Sequence, residues 1–201
     1  MRDRGVEYIE VRILDINPFL AEGLSAQQNR FLDAFLLYCL FSQCPETSDT
    51  SCPEIRRNQR EVIMRGRDPE LTLQRGLERV PFSVAASELL EAIMGTANLL
   101  DAAHDSFEYS SAVYAQQAKV DDPKLTPSGQ IMELVDAGSE FIDIAKDLAD
   151  KHQIHFTSLE KDDEFHQRLV EQATASLQQQ QELEAADEFA FDEFLDQYNN
   201  S

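Results

Sequence analysis

The sequence predicts a mainly α-helical fold with a single β-strand at its start. Three observations lead there. Residues 6–14 alternate side chains with period two and are rich in β-branched and aromatic types. From residue 25 onward, apolar residues recur at helical spacing, punctuated by caps, Gly and Pro. The chain has 201 residues, 42% of them hydrophobic, which is enough for a real core in one domain, or at most two.

The strand reads Val6-Glu7-Tyr8-Ile9-Glu10-Val11-Arg12-Ile13-Leu14. One face carries Glu7, Ile9, Val11 and Ile13, and the other Val6, Tyr8, Glu10, Arg12 and Leu14. Asp15-Ile16-Asn17-Pro18 ends it, because Pro18 cannot donate to a ladder and pushes Asn17 towards a turn. Ser25 and Gln28 form a capping box for a helix in which Phe31 through Phe41 are apolar nearly all round, the pattern of a buried helix. Residues 46–53 are a polar loop, residues 54–66 an Arg-rich helix ending at Gly66, and residues 71–82 irregular. Ser83 caps a helix with Leu89, Leu90, Ile93, Met94, Ala97 and Leu100 inward. A weaker helix covers 105–119, and Asp121-Asp122-Pro123 is a loop. Thr126-Pro127 caps a continuous helix over 128–151, with Ile131, Leu134, Val135, Phe141, Ile142, Ala145 and Leu148 inward. Thr157 or Ser158 opens a last helix to about 186, and the tail alternates acids with Phe189, Phe191, Phe194 and Leu195. No internal repeat is visible.

A lone strand is physically incomplete. Its backbone N–H and C=O groups lack partners on both edges, and buried unpaired groups cost about 1–3 kcal/mol each. The strand therefore requires a sheet supplied from outside this chain, which reads as the C-terminal part of a larger protein. Strand-to-strand pairing in a homodimer, or a misread helix start, are the alternatives.

Seventeen Lys and Arg stand against 38 Asp and Glu, a net charge of −21. That excludes a general nucleic-acid or anionic-membrane binder, because neutralising phosphates takes Lys and Arg. The charge is uneven. Residues 1–80 hold eleven bases, all Arg, and thirteen acids, a net of −2; the remaining residues carry −19. Anion chemistry is therefore expected near the N-terminal end. No apolar run approaches 18 residues, the start has no apolar signal region, and the three Cys are an odd number, so a reducing cytoplasm is expected and no membrane. Cys39 is expected in the core. Cys44 and Cys52 match no zinc or redox spacing, with a loop disulfide as an alternative. His152, His155 and His166 read as surface residues. The arginines at 56, 57, 60, 65 and 67 form either a positive potential beside a nucleotide or a solvated helix balanced by Glu54, Glu61 and Glu70; no site role is assigned to them.

The run from Arg4 to Phe19 resembles the last sheet strand of bacterial glutamate–cysteine ligase. The likeness continues through Gln27-Gln28, Arg30-Phe31-Leu32-Asp33 and Ala34 to Cys39. It resumes at Val62-Ile63, Gly66-Arg67-Asp68-Pro69 and Leu71-Thr72-Leu73, and again at Gln180 to Asp187 with Phe191 and Leu195. It spans nearly the whole chain but only about the last two-fifths of the family's length. The resemblance implies the helical C-terminal part of an α+β ligase. Residues 1–18 would be the last strand and turn of a mostly absent antiparallel active-site sheet, and 19–201 the helical region of the same incomplete domain. It implies ATP, Mg²⁺, L-glutamate and L-cysteine as the molecules engaged, γ-glutamyl phosphate as the intermediate, and a monomer when complete. In the family's Glu-Val-Arg motif the Glu ligates a metal and the Arg contacts the transferring phosphate, which maps onto Glu10 and Arg12. Their chemistry agrees. Residues i and i+2 share a face roughly 7 Å apart, a carboxylate is a hard oxygen ligand, and a guanidinium is a planar fork for phosphate oxygens. Tyr8 shares that face, as a lining or a packing residue; Glu7 reads as a structural pair, and Asp15 and Asn17 as shaping the turn. Since the family's other ligands lie outside this chain, the chain alone is expected to be inactive. The competing reading is a non-catalytic acidic helical module for a basic partner, which expects a closed bundle and leaves the strand unexplained.

Overall fold

A computed structural model describes residues 8–43, 47–49, 51–160, 162–187 and 189–200. Its described elements are helices α1 (Ala26–Phe41), α2 (Ser51–Arg65), α3 (Phe82–His104), α4 (Glu108–Asp121), α5 (Pro127–Asp136), α6 (Phe141–Ser158), α7 (Asp163–Ala186) and α8 (Phe191–Asn200), and strands β1 (Thr72–Arg75) and β2 (Glu78–Pro81). The mainly helical class holds. The chain separates into two compact units, 1–156 and 157–201.

The core of the first unit lies where α1, α3 and α4 pack on one another. Ala34, Leu90, Ile93, Ala97 and Val113 are buried there, flanked by Phe31, Phe35, Tyr38, Met94, Leu100, Tyr109 and Val120. Small residues on both sides let α1 and α3 approach. The Thr96 hydroxyl lies 2.8 Å from the Ala34 carbonyl oxygen across the interface and 2.8 Å from Ile93 O in its own helix, so it donates without leaving a buried group unpaired.

Asp101, buried near the end of α3, caps the next helix. Its carboxylate accepts the N–H groups of Tyr109 and Ser110, each at 2.9 Å, and the Ser106 hydroxyl at 3.0 Å. These are N–H groups of the first turn of α4, which have no partner inside the helix. Burial pushes the Asp101 carboxyl up, but the bonds from Ser110, Tyr109 and Ser106 outweigh it and hold the group at about 2. The αL residue Asp105 (φ 50°) makes the turn that brings α4 back to Asp101.

Several expected elements differ. Residues 71–82 are a hairpin, not irregular chain: β1 and β2 pair antiparallel with Thr72 opposite Pro81 and Arg75 opposite Glu78. Its strands, four residues each, are too short to display an alternation in sequence. Side chains of α2 complete it. Asn58 accepts from Gln74 N (2.9 Å) and donates to Gln74 O (2.7 Å), standing in for a neighbouring strand, and Glu54 accepts from Gly76 N. Leu71 is buried beneath the hairpin base, which Phe82 N closes onto Leu71 O at 2.8 Å.

The single helix expected over 128–151 is two, α5 and α6. Gly138 at φ +100° ends α5, with Gly138 N bonded to Val135 O and Ser139 N to Leu134 O, a Schellman closure. Of the inward residues expected there, Leu134, Phe141, Ile142 and Ala145 are exposed, and Ile144 is the one buried in α6. The Thr126 cap with Pro127 at the first position is as expected. Asp162, not Thr157 or Ser158, caps α7, accepting from Phe165 N at 2.9 Å, because α6 runs on through Ser158. Likewise α3 begins at Phe82 after Pro81, so Ser83 lies inside it. The capping box on α1 forms as read, but the helix is not buried all round: Ala34 is its one buried residue, while Leu40 and Phe41 are exposed. Cys39 is exposed rather than in the core, because it lies on the face of α1 turned away from α3 and α4. Cys39 and Cys52 are free thiols; Cys44 lies outside the described residues. In the second unit, α7 and the amphipathic α8 carry exposed side chains throughout.

Candidate functional site

The segment preceding α1 is built from its turn. Asn17 Oδ1 accepts from Phe19 N (3.1 Å), and Asn17 N donates to Gly23 O (2.8 Å), so Asn17 shapes the turn as expected. The turn is tied to α6: His152 Nε2 donates to Pro18 O at 2.8 Å, and His155 Nε2 lies 3.5 Å from Glu22 Oε1. His152 is thus a half-buried structural donor, not a free surface histidine; the signal is visible only in three dimensions, since 134 positions separate the partners.

Residues 8–16 lead into that turn. They form no ladder, so the expected strand is not present in its described part; Val6 and Glu7 lie outside the described residues. The hairpin is the one sheet among the described residues, and Asn58 of α2 already occupies backbone groups of β1. The segment is nevertheless rich in apolar groups laid bare to solvent: Tyr8, Ile9, Val11, Ile13, Leu14 and Ile16 are all exposed. Six large apolar side chains left exposed along nine residues are more than a closed helical module would show.

Glu10 and Arg12 lie beside each other although the segment is not a strand. They project to one side and pair with each other, Arg12 Nε 2.7 Å from Glu10 Oε1 and Nη2 2.8 Å from Oε2. This bidentate fork raises the Arg12 guanidinium above its ordinary value. Both side chains are open to solvent, 78% and 54% exposed, so the pair contributes little to stability and each partner can exchange the other for a ligand.

Arg12 also lines an open cleft of about 1150 Å³, together with Ile13, Leu14 and Asp15, the C-terminal half of α2 with its following turn, and Ser128 of α5. Val62, Ile63 and Met64 give the cleft apolar area; Arg65, Arg67 and Asp68 give it charge. The turn is stiff. Arg65 Nη2 lies 2.6 Å from Asp68 Oδ2, and Glu61 joins at 3.3 Å. The Arg65 bond holds the Asp68 carboxyl below its usual range, helped by Glu70 N. Gly66 is required where the chain leaves the helix, because a Cβ there would stand 2.6 Å from Val62 O. Of the Arg-rich helix, then, residues 65 and 67 reach the cleft that holds Arg12, while 56, 57 and 60 do not. Tyr8 is exposed and lies outside the cleft lining.

A divalent cation fits this chain poorly by itself. Glu10 offers one carboxylate, already committed to Arg12, and no cluster of three His, Cys, Asp or Glu side chains converges among the described residues. No helix of the described residues is long and apolar enough to cross a membrane.

Comparison with known proteins gives one answer. The glutamate–cysteine ligase family model matches residues 1–62. A glutamate–cysteine ligase of Alcanivorax borkumensis is 38% identical over 199 residues, covering 98% of this chain and 38% of that protein. One from Pseudomonas fluorescens is 41% identical over 98% of this chain and 37% of its own length. The crystal structure of a Francisella tularensis glutamate–cysteine ligase in complex with AMP superposes with a TM-score of 0.86 at 30% identity, over 98% of this chain and 39% of that one. The resemblance expected along nearly the whole chain is therefore found, and the chain spans less than two-fifths of the length of these relatives.

Proposed function

We propose that this chain is the helical C-terminal portion of a glutamate–cysteine ligase, supplying Glu10 and Arg12 to an ATP-dependent ligation whose remaining groups come from the rest of such an enzyme. The observation that supports this most strongly is similarity along nearly the whole chain to ligases of that name, combined with an exposed Glu10–Arg12 pair whose Arg12 lines an Arg-bearing cleft. In this reading residues 1–18 are the last strand and turn of the active-site sheet, and 19–201 the helical region of the same domain. Residues 8–16 become a strand once a neighbouring edge satisfies their backbone groups, and their apolar side chains are covered at the same time.

The reaction joins L-glutamate and L-cysteine. An oxygen of the glutamate γ-carboxylate attacks the γ-phosphorus of ATP and ADP leaves; the cysteine amine then attacks the γ-carbonyl of γ-glutamyl phosphate, an amide bond forms, and inorganic phosphate departs. Arg12 would release Glu10 and place its fork on the transferring phosphoryl oxygens, neutralising charge where it accumulates. Glu10 would then be free as one oxygen donor to Mg²⁺, with every other ligand drawn from outside the described residues. A cytoplasmic setting and a monomeric complete enzyme belong to the same proposal.

The test is complementation. The isolated chain is expected to release no ADP and form no γ-glutamylcysteine. Adding a separately expressed N-terminal portion of a related ligase is expected to restore turnover, and Arg12→Ala to abolish the restored activity. Turnover by the isolated chain, or restored activity indifferent to Arg12, overturns the proposal.

A further inference from the structure

We infer that Arg67 is a second cationic anchor for the nucleotide polyphosphate in the cleft that Arg12 lines, an inference resting on the ligase reading above. Three observations carry it. Arg67 and Arg12 line the same open cleft from two distant segments of the chain, the one in the turn after α2 and the other on the segment before α1. The neighbouring cation, Arg65, is consumed by Asp68 and Glu61, whereas Arg67 makes no ion pair among the described residues. The turn that presents Arg67 is also held in place, by Gly66 N to Val62 O (2.8 Å), Asp68 N to Arg65 O (2.8 Å) and Leu71 N to Asp68 O (3.1 Å). An exposed guanidinium on a stiff turn is a preorganised anion ligand, since little backbone entropy remains to be lost on binding.

The cleft suits a nucleotide in its other lining as well. Ile13, Leu14, Val62, Ile63 and Met64 offer apolar area for a base, and the arginines offer charge for a phosphate chain. Asp15 and Asp68 temper the charge, but Asp68 is already paired with Arg65. The competing role for Arg67 is as a cation that offsets the negative end of the α2 dipole. That role belongs to stability and not to binding, and it can be measured separately.

The experiment is titration calorimetry of the 201-residue chain with tripolyphosphate, and with AMP, at low salt. Variants are Arg12→Ala, Arg67→Ala, Arg67→Lys and, as a control on the preceding helix α2 but outside the cleft, Arg56→Ala; melting temperatures are recorded for all. A charge-assisted contact of this kind predicts about a ten-fold loss of tripolyphosphate affinity for Arg67→Ala. Arg67→Lys should recover part of it, Arg56→Ala should leave it unchanged, and AMP should lose less than tripolyphosphate. If Arg12→Ala weakens binding and Arg67→Ala does not, the inference falls and the role of Arg12 stands. If Arg67→Ala weakens binding and Arg12→Ala does not, the placement of Arg12 on phosphate falls. A lowered melting temperature with unchanged affinity assigns Arg67 to the helix dipole and overturns the inference, as does a wild-type chain that binds neither probe.

Discussion

Replacing Asp101 should damage the helical core more than any surface substitution in the chain. Its two carboxylate oxygens take three donors: Oδ1 accepts Tyr109 N and the Ser106 hydroxyl, and Oδ2 accepts Ser110 N. Asp101→Asn keeps the shape but turns one acceptor into a donor. With the amide oxygen at Oδ1, the new NH₂ faces Ser110 N–H, so one charge-assisted bond is lost and two donors confront each other in a buried place. Loss of such a bond is worth about 1.5–3 kcal/mol. Asp101→Ala strands two backbone N–H groups at about 1–3 kcal/mol each, less whatever water reaches them, so about 2–4 kcal/mol is expected. Against the roughly 5–15 kcal/mol that hold a domain together, either loss is large. The assay is urea unfolding followed by circular dichroism at pH 7, with hydrogen exchange at Tyr109 and Ser110. The pH dependence supplies a second check. A carboxyl held at about 2 when folded stabilises fully above its unfolded value, about 3.9, and that stabilisation disappears as pH falls through the range between them. The stability gap between wild type and Asp101→Asn should therefore be constant above about pH 5 and shrink on acidification towards pH 2. A gap below about 0.5 kcal/mol at pH 7, the level of an ordinary surface change, would refute the reasoning, because the carboxylate would then not be the cap of α4.

Two further outcomes follow from the packing. Asn58→Ala should free both backbone groups of Gln74 and cost about 1–2 kcal/mol, with faster amide exchange at Gln74 and little change in α3 or α4; unchanged exchange there would show that Asn58 does not act as the hairpin's third strand. Ile93→Ala, at the fully buried centre of α1, α3 and α4, should cost about 2–5 kcal/mol in urea unfolding, whereas Leu99→Ala on the exposed side of α3 should cost far less; equal losses would mean that the inward face of α3 is wrongly assigned.

Much of the helical pattern was legible because it is local. The Ser25–Gln28 capping box and the Thr126-Pro127 start are satisfied by atoms three residues apart, so sequence suffices to find them. Leu90, Ile93 and Ala97 were legible for a related reason, since helical periodicity places them on one stripe. The hairpin was not: its strands are four residues long, and side chains of Asn58 and Glu54 on α2 help to complete it. Nor was the break at Gly138, where a run of acceptable helical spacing conceals a left-handed residue. The inwardness expected of Phe141 and Ile142 also failed, because periodicity says that a face is apolar but not what covers it.

The Glu10–Arg12 pair divides in the same way. Sequence alone placed a carboxylate and a guanidinium two residues apart, within reach of each other, and the structure shows them paired. It also determined the helical class and, through residues 4–19 and the matching runs that follow, a resemblance to glutamate–cysteine ligases. Only the tertiary structure decided that residues 8–16 have no ladder within the described chain, and that Arg12 and Arg67 line one cleft while Arg56, Arg57 and Arg60 do not. The physical reason is range. Caps and helical faces are decided by neighbours within a turn, whereas a ladder or a cleft needs groups brought together from distant segments, and burial of the helical core determines which segments those are.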